Sequence, residues 1–145
     1  MSSEEEHFRK LERMYAAAPI NAFFAPALHV SEGCAEVTIA IRPDFLHAAQ
    51  ALHGSVFFKA LDDATFFAVN SVVPDVFVLT VSFTIYLLRP VAEGVIVASG
   101  RLVHKSRTVL SADAELHDQQ GRQVARGSGI FMRSAIPLSA RIGYV

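Results

Sequence analysis

The 145-residue chain has no tryptophan and a single cysteine, Cys34. One cysteine cannot form a disulfide within the chain and matches no zinc-ligand spacing, which excludes a disulfide scaffold and a structural zinc site. An excess of charge of either sign is missing too, since 13 basic residues against 14 acidic ones leave a net charge of −1. A general nucleic-acid binder would carry a clear basic excess. The longest stretch free of acidic and basic residues, Met14 to Ser31, contains Pro19, Asn21, Pro26 and His29. A membrane-spanning helix rarely combines those residues, so no membrane partner is expected. The opening Met1-Ser2-Ser3-Glu4-Glu5-Glu6 is acidic, unlike a secretory or organellar leader, and the expected location is the cytoplasm. Repeats, linkers and low-complexity tracts are absent. What the chain does have is apolar content, 52% by residue, which excludes disorder and asks for a covered surface or an apolar pocket. The length suits one domain over residues 1–145.

Periodicity divides the chain. Ser3-Glu4-Glu5-Glu6 reads as a capping box, and Phe8, Leu11, Tyr15 and Ala18 follow at helical spacing, which predicts an amphipathic helix over about residues 3–18. A core over about residues 20–133 and a short tail come after it. Strands are expected near Ala27–Val30 and over Glu36–Ile41, where Val37, Ile39 and Ile41 alternate with Glu36, Thr38 and Ala40. The stretch His53–Ser71 has no alternation and is apolar on nearly every face, which predicts a helix buried on all sides. Four extended runs follow. In the first, Phe77, Leu79, Val81, Phe83, Ile85 and Leu87 share one face, opposite Thr80, Ser82 and Thr84. Turns at Arg89-Pro90 to Gly94, at Lys105-Ser106-Arg107 and at Asp118 to Gly121 predict antiparallel neighbours. The sum is an α+β domain: a curved antiparallel sheet of about five or six strands around one buried helix, with an extra N-terminal helix.

Leu52-His53-Gly54-Ser55 at the start of the buried helix, Asp62 within it and this order of elements together resemble the hotdog-fold thioesterases of the phenylacetate-degradation type. That group carries His-Gly-Gly at the helix start and an Asp nine positions after the His, and His53, Gly54 and Asp62 stand at that spacing. The sequence departs from the pattern at Ser55, in place of the second Gly, and at His47, where the group has Asn. Thr80 matches a Ser or Thr early in the strand after the helix. His104-Lys105-Ser106-Arg107 is similar to the group's His-x-Gly-Arg turn, near which coenzyme A lies. The resemblance implies hydrolysis of acyl-coenzyme A, subunits paired as a dimer or a dimer of dimers, and sites at the subunit boundary.

The residues themselves point the same way. Asp62 lies between Phe58 and Phe66 on a greasy helix, and the one basic residue within a turn of it, Lys59, also stands at i, i+4 to Asp63, so an ionised carboxylate there is costly unless a partner arrives from elsewhere. It is either a site residue or a carboxylate reaching solvent at the helix edge. Asp63 has Lys59 one turn earlier. Gly54 opens the helix, where unpaired N–H groups can hold a thioester oxygen as it gains charge. His47 either orients water or substrate or is an exposed loop histidine. His53 buttresses the helix start beside Ser55, and His7, His29 and His117 are expected at the surface. Lys105 and Arg107 either meet the phosphates of coenzyme A or stay solvated. Phe58 and the other phenylalanines line an acyl pocket or form core. Cys34 is expected to pack inside, and no metal site or redox cofactor is implied.

One geometric constraint stands out. Gly54 and Asp62 are eight residues apart, or about 12 Å along one helix at ~1.5 Å per residue. One thioester and its attacking water cannot touch both, whereas antiparallel helices of a two-fold dimer would bring Asp62 of one chain to Gly54 of the other. The expected function is therefore an aryl or medium-chain acyl-coenzyme A thioesterase, with Asp62 as general base or nucleophile and Thr80 positioning it or the water. The alternatives are a non-catalytic acyl-coenzyme A-binding module and a hotdog dehydratase, whose His-plus-acid loop is not found.

Overall fold

The computed structural model describes all 145 residues. Helix α1 (Ser3–Ala17) and the one-turn helix α2 (Asn21–Phe24) lead into strands β1 (Ala27–Ser31) and β2 (Cys34–Ala40). Helix α3 (Gly54–Asn70) comes next, then β3 (Val76–Leu87), β4 (Val95–Lys105), β5 (Leu110–His117) and β6 (Gln123–Pro137). The strands form one antiparallel six-stranded sheet in the order β1-β2-β4-β5-β6-β3, and the sheet packs against α3. This is the expected helix wrapped by a sheet, with the expected N-terminal helix. No helix is long and apolar enough to cross a membrane.

Helix α1 buries Phe8, Leu11, Met14 and Tyr15. Its cap is Ser2, whose Oγ accepts the Glu5 N–H at 3.1 Å, one residue before the expected capping box. His7, expected at the surface, is buried: one ring nitrogen lies 2.7 Å from Tyr144 Oη and the other 2.9 Å from the Asn70 carbonyl. Both partners are distant in sequence, which is why the local pattern misses them. From the same helix Glu12 accepts the Val30 N–H at 2.8 Å and Arg9 donates to the Val30 carbonyl at 2.6 Å, so side chains occupy the outer edge of β1.

Helix α3 buries Val56, Phe57, Ala60, Leu61, Ala64 and Ala68. It reaches the sheet closely because β4 carries Gly100, where a Cβ would collide with the Ala64 carbonyl. The helix is not covered on all sides, however. Phe58 is 41% exposed, and Asp62 and Phe66 on the same stripe are half-buried. The sheet curls round most of α3 but leaves this stripe beside the edge strand β3.

Strand β3 departs from expectation twice. It pairs with β6 and not with its successor β4. The connection of residues 88–94 crosses the sheet beneath the start of α3, where the Val91 carbonyl accepts the Leu52 N–H. Second, a register shift between Thr80 and Ser82 makes Val81 an extra, bulged residue. A bulge reverses the facing of every later side chain. Val78 and Thr80 therefore face α3 ahead of the bulge, and Phe83 and Ile85 face it afterwards, while Leu79 and Val81 are exposed. The single alternating face predicted for Phe77 to Leu87 is thus broken in the middle. In β2 the inward set is Ala35, Val37 and Ile39, which turns Cys34 outward, and the cysteine is exposed and not packed inside.

Candidate active site

The start of α3 is built by its own loop. The His53 N–H donates to the Phe45 carbonyl, and His53 Nδ1 accepts the Ser55 N–H at 3.0 Å, with Ser55 Oγ 2.8 Å away. His53 is therefore the N-cap of the helix, and accepting at Nδ1 leaves its ring proton on Nε2. Gly54 follows, with no acceptor in the chain for its N–H. A Cβ at Gly54 would meet only Leu87 Cδ1, at 3.6 Å, so nothing in its own chain demands a glycine here.

Two turns on, Asp62 and Asp63 take different partners. Asp62 Oδ1 accepts the Thr80 hydroxyl at 2.9 Å, a bond made possible by the bulge that turns Thr80 inward. Burial pushes the Asp62 carboxyl up to about 6, with a smaller push from the Asp63 charge; the Thr80 bond and the Lys59 charge work the other way. Asp63 pairs with Lys59 Nζ at 2.8 Å, as its spacing predicts, and also accepts the Tyr15 hydroxyl at 2.5 Å. Burial raises the Asp63 pKa against the pull of Lys59, and burial followed by the Asp63 charge raises that of Tyr15. Tyr15 comes from α1, 48 positions away, and no sequence signal marks it.

Asp62 and Thr80 sit on the wall of a cavity of about 730 Å³ with a mostly apolar lining that includes Tyr15, Phe66, Phe77 and Leu79. That volume lies within the usual range for small-molecule sites, roughly 300–1,000 Å³. A larger groove, about 950 Å³, runs over the outer face of the sheet among Arg101, Asp113, Glu115 and Arg126. It is polar and turned away from α3, and the smaller cavity is the one that holds a perturbed carboxylate.

The expected residues thus form two groups within one chain. Asp62 and Thr80 share the cavity; Gly54, His53, Ser55 and Phe58 do not line it. Phe58 packs edge-on to Phe83 with ring centroids 5.4 Å apart. His47 is exposed in its loop, where Nδ1 accepts the Ala49 N–H at 3.1 Å, so its free ring nitrogen carries the proton. Lys105, the last residue of β4, and Arg107, in the turn after it, are exposed. Lys105 Nζ donates to the Val72 carbonyl at 3.2 Å, and Arg133 holds the carbonyls of Ser106 and Arg107 at 2.9 and 2.8 Å. No three His, Cys, Asp or Glu side chains converge as metal ligands.

The sequence profile described as the thioesterase superfamily matches residues 49–125, just over half of the chain and the stretch that holds both groups. The chain is similar to the "putative esterase" of Saccharolobus solfataricus, with 24% identity over 125 residues and 86% of each chain covered. In structure it is similar to the PaaI protein of the E. coli phenylacetic acid degradation operon, with a TM-score of 0.85, 24% identity, and 95% of this chain and 100% of that one covered. A thioesterase family protein of Silicibacter pomeroyi superposes with a TM-score of 0.80 at 24% identity, covering 87% of this chain and 96% of its own. The two structural likenesses establish the fold.

Proposed function

The chain belongs to the thioesterase superfamily, and from that premise we propose that it hydrolyses acyl-coenzyme A esters of aryl or medium-chain acids at sites shared by two copies of the chain. The observation that carries the reading is the Asp62 carboxylate, held by Thr80 on the wall of an apolar cavity. With its pKa near 6, Asp62 is ionised at neutral pH yet more basic than an exposed carboxylate, which suits a general base.

In the general-base course Asp62 takes a proton from water as the water oxygen bonds to the thioester carbonyl carbon. The C–S bond then breaks, and the proton passes to the coenzyme A sulfur. In the nucleophilic course an Asp62 oxygen bonds to that carbon, the thiolate leaves, and water opens the mixed anhydride. Either way negative charge develops on the carbonyl oxygen, and the unpaired Gly54 N–H at the positive end of α3 is the donor for it. Neither course draws on a metal or redox cofactor, since coenzyme A enters as part of the substrate.

The spacing of Gly54 and Asp62 supports a shared site, as do the side chains around them. Leu79, Val81, Leu87 and Leu88 are exposed on and just beyond β3, next to the uncovered stripe of α3. Exposed apolar residues gathered along a free strand edge mark a partner surface. A second copy placed there by a two-fold axis would set Gly54 against the first copy's Asp62. Within that site His53 and Ser55 shape the helix start, His47 offers its free N–H to water or substrate, and Phe58 flanks the acyl group. Lys105 and Arg107 face the phosphates of coenzyme A.

The test is thiol release from a panel of acyl-coenzyme A esters. Wild type is expected to turn over aryl and medium-chain esters, and Asp62→Asn to lose at least roughly a hundred-fold, the low end for a general base. Tight binding of the esters with no thiol released would make the chain a binding module and overturn the catalytic reading.

A further inference from the structure

Two segments outside residues 49–125 also line the cavity beside Asp62: the end of α1, with Met14 and Ala17, and the C-terminal stretch Arg141–Gly143. These segments are fastened to each other. Tyr144 Oη lies 2.7 Å from His7, the Lys10 ammonium sits over the Tyr144 ring, and Arg13 Nε donates to the Val145 carbonyl at 2.6 Å. Gly143, at φ +88°, brings the chain end down on the helix. A Cβ there would stand 3.5 Å from both Ala17 Cβ and Met14 Cα.

We propose that this clasp between α1 and the C-terminus is the end wall of the acyl pocket and sets the longest acyl group the protein accepts. The inference rests on the reading of Asp62 as the reacting group. A thioester carbonyl at Asp62 directs any acyl chain in this cavity away from the carboxylate, along the faces of Phe66 and Phe77. Of the charged groups in the lining, Lys59 is spent on Asp63, as is the Tyr15 hydroxyl, which leaves the exposed Arg141 as the one cation there without a partner. The polar groove on the outer face of the sheet has Arg101, Asp113, Glu115 and Arg126 in its place and suits no hydrocarbon. Met14 is 5% exposed and held by its neighbours, so the wall it forms is fixed.

Binding of S-alkyl-coenzyme A thioethers from ethyl to dodecyl tests this without relying on hydrolysis. In wild type the affinity should rise by about four-fold per added carbon, the equivalent of ~0.8 kcal/mol per buried methylene, and then stop where the wall is met. Ala17→Phe thickens the wall and should stop the rise at shorter chains, lowering the octyl-to-ethyl affinity ratio by more than roughly ten-fold. Met14→Ala thins it and should extend the rise to longer chains. Met14 is core, so Ala17→Phe, at an exposed helix position, decides the matter if Met14→Ala does not fold. Length profiles that coincide in wild type and Ala17→Phe would overturn the wall, and would leave the thioesterase reading intact if the esters are still hydrolysed. A shifted profile without any hydrolysis would uphold the wall and overturn that reading.

Discussion

Replacing Thr80 with valine deletes one hydroxyl and keeps the branched shape and strand preference of the side chain. In the wild-type chain that hydroxyl donates to Asp62 Oδ1 at 2.9 Å and favours the ionised carboxylate, against the burial that pushes the group up to about 6. A hydrogen bond to a charged group contributes roughly 1.5–3 kcal/mol, and Thr80 is exposed, so the lower end applies. At about 1.4 kcal/mol per pH unit, its loss moves the Asp62 pKa from about 6 to about 7. With Asp62 as the proposed general base or nucleophile, the active form is the ionised one, so activity should fall as pH drops through the pKa. In the variant that fall should begin about one unit higher. At pH 6 the ionised fraction would go from about a half to about a tenth, and near pH 8 the two proteins should differ little from this cause. The assay is kcat/KM for one good ester between about pH 5 and pH 9. An acidic limb that stays in place, or moves to lower pH, would refute the idea that Thr80 sets the ionisation of Asp62.

Burial lifts the Asp62 pKa above its ordinary 3.8, so the ionised group costs stability above about pH 6, and the cost fades as pH falls toward 3.8. Asp62→Asn should therefore add about 1–2 kcal/mol of stability at pH 7, after allowance for solvent screening, but none at pH 4; the Tm should rise at pH 7 only, and a lower Tm at pH 7 would contradict this. Gly54→Val should fold, given the room around that Cβ, and lose activity, as Asp62→Asn should. Refolded together in equal amounts, the two inactive proteins should regain about a quarter of wild-type activity, since half the dimers are hybrids with one intact site. Hybrids detected by native mass spectrometry without regained activity would rule out a shared site. His47→Asn keeps an N–H donor and should keep most turnover, whereas His47→Ala should lose about ten-fold, the effect of one hydrogen bond; equal behaviour of the two would make His47 a bystander.

Much of the fold is legible along the chain because it rests on local periodicity. The unbroken apolar run of α3, the alternation in β5 and the glycine and proline turns each declare themselves within a few residues. The Lys59–Asp63 pair is equally local and lies where spacing puts it. What the pattern hides depends on contacts made over long sequence distances. Val81 looks like any strand residue until β6 pairs with β3 and leaves it without a partner, and only then does Thr80 turn toward Asp62. His7 reads as a surface residue on a charged helix, and its burial waits for Tyr144 to fold back over it. Tyr15 reads as core, and its hydroxyl finds Asp63 only after α1 docks. Motif spacing marks both Gly54 and Asp62, and their eight-residue separation on one helix already tells that a single chain keeps them apart.

The two rims of the sheet are treated differently, and this bears on how the molecule can grow. Along β1 the outward backbone groups of Val30 are already taken by Glu12 and Arg9, so that rim has no vacancy at its centre. Along β3 the rim is open and greasy. A ribbon with two open rims can add copies without end, as fibres do, whereas one with a single open rim is finished once its first copy has docked. Arg9 and Glu12 thus act as a stopper on this rim and leave β3 as the edge open to strand pairing.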